Sequence, residues 1–146
     1  MKKKVFSVIC TCCSLALIAA ATVHAQLPGT ALRANIPFDF SVKGKTFPAG
    51  EYEIKRFSSA PDGLVISGVN NRERAMFETD LVEARKTPSR GEIVFHRYGD
   101  SYFLSEVFAG GDKAGRELQP SRQERMLKRE VASNNTQSET VAVAVY

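Results

Sequence analysis

From Asn35 onward the chain alternates. In "NIPFDFSV", Ile36, Phe38, Phe40 and Val42 fall on one side of an extended backbone, and Asn35, Pro37, Asp39 and Ser41 on the other. A period of two with aromatic and branched residues in one phase marks a strand with one buried face. Pro37 cannot donate to a ladder, which predicts an edge position. The same rhythm continues to Phe108, broken by turn formers. "KGK" turns the chain. Pro48 to Gly50 make a corner, and a strand opens near Glu51 with Tyr52 and Ile54 inward. Tyr52 fits either a tyrosine corner, whose hydroxyl bonds back to upstream backbone, or an amphipathic ring at the core edge beside a plain turn.

"APDG" is a turn and "LVISGV" a short strand. Asn70-Asn71 suits a tight hairpin, because Asn tolerates positive φ. "ERAMFETDLVEA" is the partner strand; the adjacent Met76 and Phe77 break its phase and predict a bulge. "EIVFHRY" and "SYFLSEVF" are two strands around Gly99-Asp100, and "AGGDKAG" reads as a flexible glycine loop. "SRQE", Ser121 to Glu124, matches a capping box and opens a helix running to roughly Ser133. Six strands, with "VAVAVY" as a strand-like seventh, predict an all-β antiparallel sandwich or small barrel of about 6–7 strands with one C-terminal helix.

The first residues bear on compartment. Lys2 to Lys4 precede an apolar run that ends in "VHA", the pattern of a signal peptide cleaved after Ala25. The expected layout is therefore a leader at 1–25, a β-domain with its late helix at 31–133, and a polar linker with a C-terminal strand at 134–146. The mature part would be secreted or periplasmic, with no transmembrane span. All three cysteines lie in the leader, so disulfides would not hold the mature fold. Three of the 20 Lys and Arg lie there too, and none of the 16 acids does. The remainder is 17 against 16, a net charge of +1, which argues against a nucleic-acid partner.

Chemistry-bearing patterns are sparse. His96 is the only histidine after the leader. No Gly-x-Ser-x-Gly elbow is present, and any Ser–His–acid set would have to be assembled by folding. One His and no Cys make a poor metal donor set. Gly110 and Gly115 have the spacing of a phosphate loop, but Arg116-Glu117 replaces its Lys-Ser/Thr pair. No catalytic residue, metal or cofactor is therefore assigned.

The densest polar cluster is "FHRYGDSYF". A two-residue Gly99-Asp100 loop, with Gly supplying positive φ, sets Tyr98 opposite Ser101, Arg97 opposite Tyr102, His96 opposite Phe103 and Phe95 opposite Leu104, and a three-residue loop would shift every partner by one. Alternation sends Arg97 to the face opposite His96 and Tyr98. The candidate binding residues are His96, Arg97, Tyr98 and Tyr102; Pro48, Gly50, Tyr52, Gly99 and Asp100 are structural.

"IPFDFSVKGKTFPAGEYEI", "VFHRYGDSYFLSEVF" and "GRELQPSRQERML" together resemble a family of small secreted bacterial proteins of unknown function. The resemblance spans roughly Ile36 to Leu127. It implies export and an all-β fold, and carries no activity. The expectation is a non-enzymatic binding or structural accessory acting on a protein, glycan or envelope component. The alternatives are a hydrolase using His96 with carboxylates and a small barrel carrying an apolar ligand.

Overall fold

The computed structural model describes residues 31–57, 59–134 and 138–146. The leader and part of the polar linker lie outside these residues. The strands are β1 (Leu32–Ile36), β2 (Phe40–Val42), β3 (Lys45–Phe47), β4 (Gly50–Arg56), β5 (Gly63–Gly68), β6 (Arg74–Glu78), β7 (Asp80–Glu83), β8 (Glu92–Tyr98), β9 (Ser101–Phe108), β10 (Ala114–Glu117) and β11 (Glu139–Ala144). One helix, α1 (Arg122–Ser133), lies between β10 and β11.

The strands form a sandwich of two sheets, not a closed barrel. One sheet has the order β1-β4-β5-β6; the other runs β11-β8-β9-β10-β7, with the β2–β3 hairpin joined to β9. All pairings are antiparallel except the short parallel contact of β2 with β9 at Ser41 and Phe103. Backbone bonding also ties the sheets at their edges: just past β11 the Tyr146 amide donates to the Arg33 carbonyl of β1 at 2.9 Å. No described helix is long and apolar enough to cross a membrane.

Two strands expected to be continuous are broken at sheet crossings. The alternating run around "NIPFDFSV" stops after Ile36 and resumes at Phe40, so β1 and β2 belong to different sheets. Pro37 lies in the break rather than on a strand edge. The run "ERAMFETDLVEA" likewise divides into β6 and β7. Its phase slip is a corner, not a bulge: the Asp62 carbonyl accepts both the Thr79 amide, at 2.9 Å, and the Thr79 hydroxyl, at 2.7 Å.

The glycine run is also more ordered than its composition suggests. Ala114 to Glu117 form β10, and a Cβ at Gly115 would lie 2.3 Å from two atoms of the Phe108 ring, too close for any side chain. Gly115 is there for close packing rather than for freedom. Asn71 serves its turn through its side chain: its Oδ1 accepts from the Glu73 amide at 2.9 Å and its Nδ2 donates to the Tyr52 hydroxyl at 3.2 Å. Neither Asn70 nor Asn71 takes a positive φ.

Alternation places the core between the sheets. Phe40, Phe47, Tyr52 and Phe95 are essentially inaccessible and meet largely edge-on, with ring centroids 5.1–5.8 Å apart. Ile36, Ile66, Ile93 and Val107 fill in around them. The Tyr52 hydroxyl donates to the Pro48 carbonyl at 2.6 Å, four residues upstream, which is the bond of a tyrosine corner.

Candidate functional site

The β8–β9 hairpin carries the site. Gly99 has φ +61 while Asp100 stays negative, as in a II′ turn, and Tyr98 pairs with Ser101. This fixes Arg97 opposite Tyr102 and His96 opposite Phe103. Farther along the register shifts: Phe95 pairs with Leu104 but Val94 with Glu106, which leaves Ser105 as an extra residue in β9. Such a bulge re-aims a side chain and frees a backbone group. The Ser105 carbonyl accepts the Leu118 amide at 2.7 Å, which brings the chain just ahead of α1 against the hairpin.

α1 supplies the third member. Ser121 caps it, accepting from the Glu124 amide at 3.1 Å. Glu124 sits in the first turn and its side chain reaches the sheet. Its Oε1 lies 2.9 Å from His96 Nδ1, and His96 Nε2 lies 3.2 Å from Ser105 Oγ. A carboxylate can only accept, so Nδ1 carries a hydrogen, and in the neutral ring Nε2 accepts from the serine hydroxyl. The resulting chain, Ser105–His96–Glu124, has the connectivity of an acyl-transfer triad.

Its accessibility does not match. Ser105 is 2% exposed and Glu124 4%, while the His96 side chain is 32% exposed. A nucleophile must let a carbonyl carbon reach its oxygen; here α1 and the hairpin cover Ser105. Glu124 is also the one buried residue of α1. A charged group is seldom buried without a partner, and His96 is that partner. The same three residues thus work as a clasp that holds the helix to the sheet.

The candidate binding residues divide between the faces of β8. His96 and Tyr98 lie toward α1, their rings edge-on at 6.3 Å. Tyr98 is buried, and its phenol is pushed above its ordinary value by that burial and by the Glu124 charge. Arg97 and Tyr102 face the other way. The Tyr102 ring stacks on Phe38 at 3.9 Å and has the Arg97 guanidinium 5.5 Å from its centroid. Arg97 also donates to the Gly99 carbonyl and to Glu139 on β11. The four residues do not converge.

Glu106 is a second unusual group. It pairs with Val94 on one side and with Glu117 on the other. Its carboxyl is pushed up by burial first, then by Glu117, with His96 acting in the opposite sense. Among the described residues, no group of three or more His, Cys, Asp or Glu could hold a metal.

Sequence reasoning missed Ser105 and Glu124 as partners of His96. They lie nine and twenty-eight residues away. The only available signal was the capping-box glutamate, and that pattern points to a local backbone role.

Beside the clasp, α1 leaves a groove of about 640 Å³ against the β2–β3 turn. Its helix wall is Gln123, Met126, Leu127 and Glu130, one face at helical spacing. Met126 is 61% exposed. Lys43, Gly44 and Ser101 stand opposite.

No family model matches the chain, and neither the curated proteins nor the solved structures contain a significant match.

Proposed function

We propose that the chain is an exported, non-enzymatic β-domain that acts as a binding or structural accessory in the periplasm or envelope, or outside the cell. Its partner would be a protein, a glycan or another envelope component. The leader sequence supports export. The burial of Ser105 carries the rest: among the described residues, the arrangement with the connectivity of a catalytic triad has its nucleophile covered, while the neighbouring groove is open. The polar chain then holds α1 in place, and the surface beside it is left for a ligand.

The Ser105–His96–Glu124 distances favour a second reading, a serine hydrolase whose helix moves aside. A fluorophosphonate separates the two, because it phosphonylates serines whose hydroxyl a histidine activates. The accessory reading expects no labelling of the mature chain, and the same envelope components retained by immobilised wild type and Ser105→Ala. Labelling at Ser105 that disappears in His96→Ala would replace it with the hydrolase.

A further inference from the structure

The groove between α1 and the β2–β3 turn pairs an apolar wall with two cations, whereas the depression beside it that also uses Lys43 has an apolar wall of Phe57, Leu64, Met76 and Phe77 but sets Lys43 alone against Glu78. The groove's size lies within the range of small-molecule sites. Met126 and Leu127 give it an apolar wall on a helix that buries only Glu124 in the sheet. Two cations, Lys43 and Arg122, line it against a single carboxylate, Glu130. The depression on the other side of Lys43 is lined by Asp62, Glu78 and Asp80, which would repel an anion. The one under the β7–β8 loop has the same charge balance, Lys86 and Arg90 against Glu92, but only Pro88, Ala142 and Ala144 as apolar side chains, too small to cover an alkyl chain.

Lys43 adds an independent observation. It has φ +50, the one positive value at a non-glycine residue among those described. Together with Gly44 at φ +88 it makes a turn whose first position favours Asn, Asp or Gly. A lysine there holds a strained backbone. Its ammonium donates to the Gln119 carbonyl at 3.0 Å, which keeps the charge beside the start of α1.

We infer that this groove binds a single-chain anionic amphiphile of the fatty-acyl carboxylate type, with Lys43 and Arg122 serving the carboxylate and Met126 and Leu127 the chain. The inference rests on the reading of this protein as a binding domain and names the ligand class. A folded amphiphile of this kind satisfies both walls at once: the carboxylate answers the excess of positive charge, and the alkyl chain covers exposed thioether and leucine surface.

The test is calorimetric titration of the mature chain with laurate kept below its micelle concentration. Saturable one-to-one binding is expected. Met126→Glu should weaken it by about tenfold or more, because a carboxylate would then face the alkyl chain. Lys43→Asn should weaken it by roughly fivefold while leaving the melting temperature near wild type, since Asn accepts positive φ. Uncharged dodecanol should bind wild type and Lys43→Asn equally. The inference is overturned by no saturable heat up to about 1 mM, by unchanged affinity in both variants, or by uptake only onto anionic vesicles, which would make the face a membrane contact. Absence of laurate binding without fluorophosphonate labelling removes only the ligand class; labelling of Ser105 removes the binding-domain reading beneath it.

Discussion

The two sheets and the helix are attached by different physics. Between the sheets, Phe40, Phe47, Tyr52 and Phe95 interlock over a core that excludes water, and loss of any one ring would leave a cavity. α1 has nothing comparable: its one buried residue is Glu124, and its contact with the sheet runs through an imidazole to a serine. Apolar packing is collective and fails with the whole fold. A single polar clasp can fail alone, because the sheet beneath it is complete without the helix. α1 is thus the separable part of the molecule and the hairpin the fixed part.

The largest effect expected in breaking this contrast is Phe95→Ala. Phe95 is inaccessible and meets Phe38 at 5.2 Å and Phe40 at 5.4 Å. Its truncation should cost about 3–5 kcal/mol and lower the unfolding midpoint of sheet and helix together. A helix signal that outlasts the sheet signal in a denaturant titration would contradict collective attachment. Next comes Gly99→Val, which forces a branched side chain to φ +61 and should cost about 1–2 kcal/mol. Unchanged melting would remove the assigned hairpin turn.

The smallest effect is a pH dependence. Because the Glu106 carboxyl is raised in the folded state, the protonated form is favoured there. Its relative contribution to stability is complete below the ordinary value of 4.5 and is lost as pH rises through the raised one. Glu106→Gln should therefore melt slightly above wild type at pH 7, and the gap should close as pH falls below 4.5. Equal melting at both pH values would show that burial and the facing Glu117 do not matter.

Local chemistry made much of the fixed part legible. The Gly99-Asp100 turn sets the register of the hairpin, and all four pairs expected around it occur. Ser121 and Glu124 mark the start of a helix that runs from Arg122 to Ser133. What escaped depends on groups remote in sequence. The phase slip at Met76-Phe77 is equally compatible with a bulge and with a sheet crossing; the Asp62 carbonyl, seventeen residues before Thr79, decides it. Gly115 has the composition of a loop, and only the Phe108 ring explains it as a strand residue. Short segments such as β3, β7 and β10 are too brief for alternation to register, so eleven strands stand among the described residues where six or seven were expected. The clasp escaped for the same reason: a bulge in β9 presents Ser105, and a capping glutamate turns from its own helix end to the sheet.

What most needs deciding is whether Ser105–His96–Glu124 fastens α1 or performs catalysis. Native-state hydrogen exchange on Glu124→Ala tests it most directly. If the clasp fastens α1, amides from Lys128 to Ser133 lose protection while those of β8 and β9 keep theirs. Unchanged protection of α1, or equal loss throughout both sheets, would contradict it.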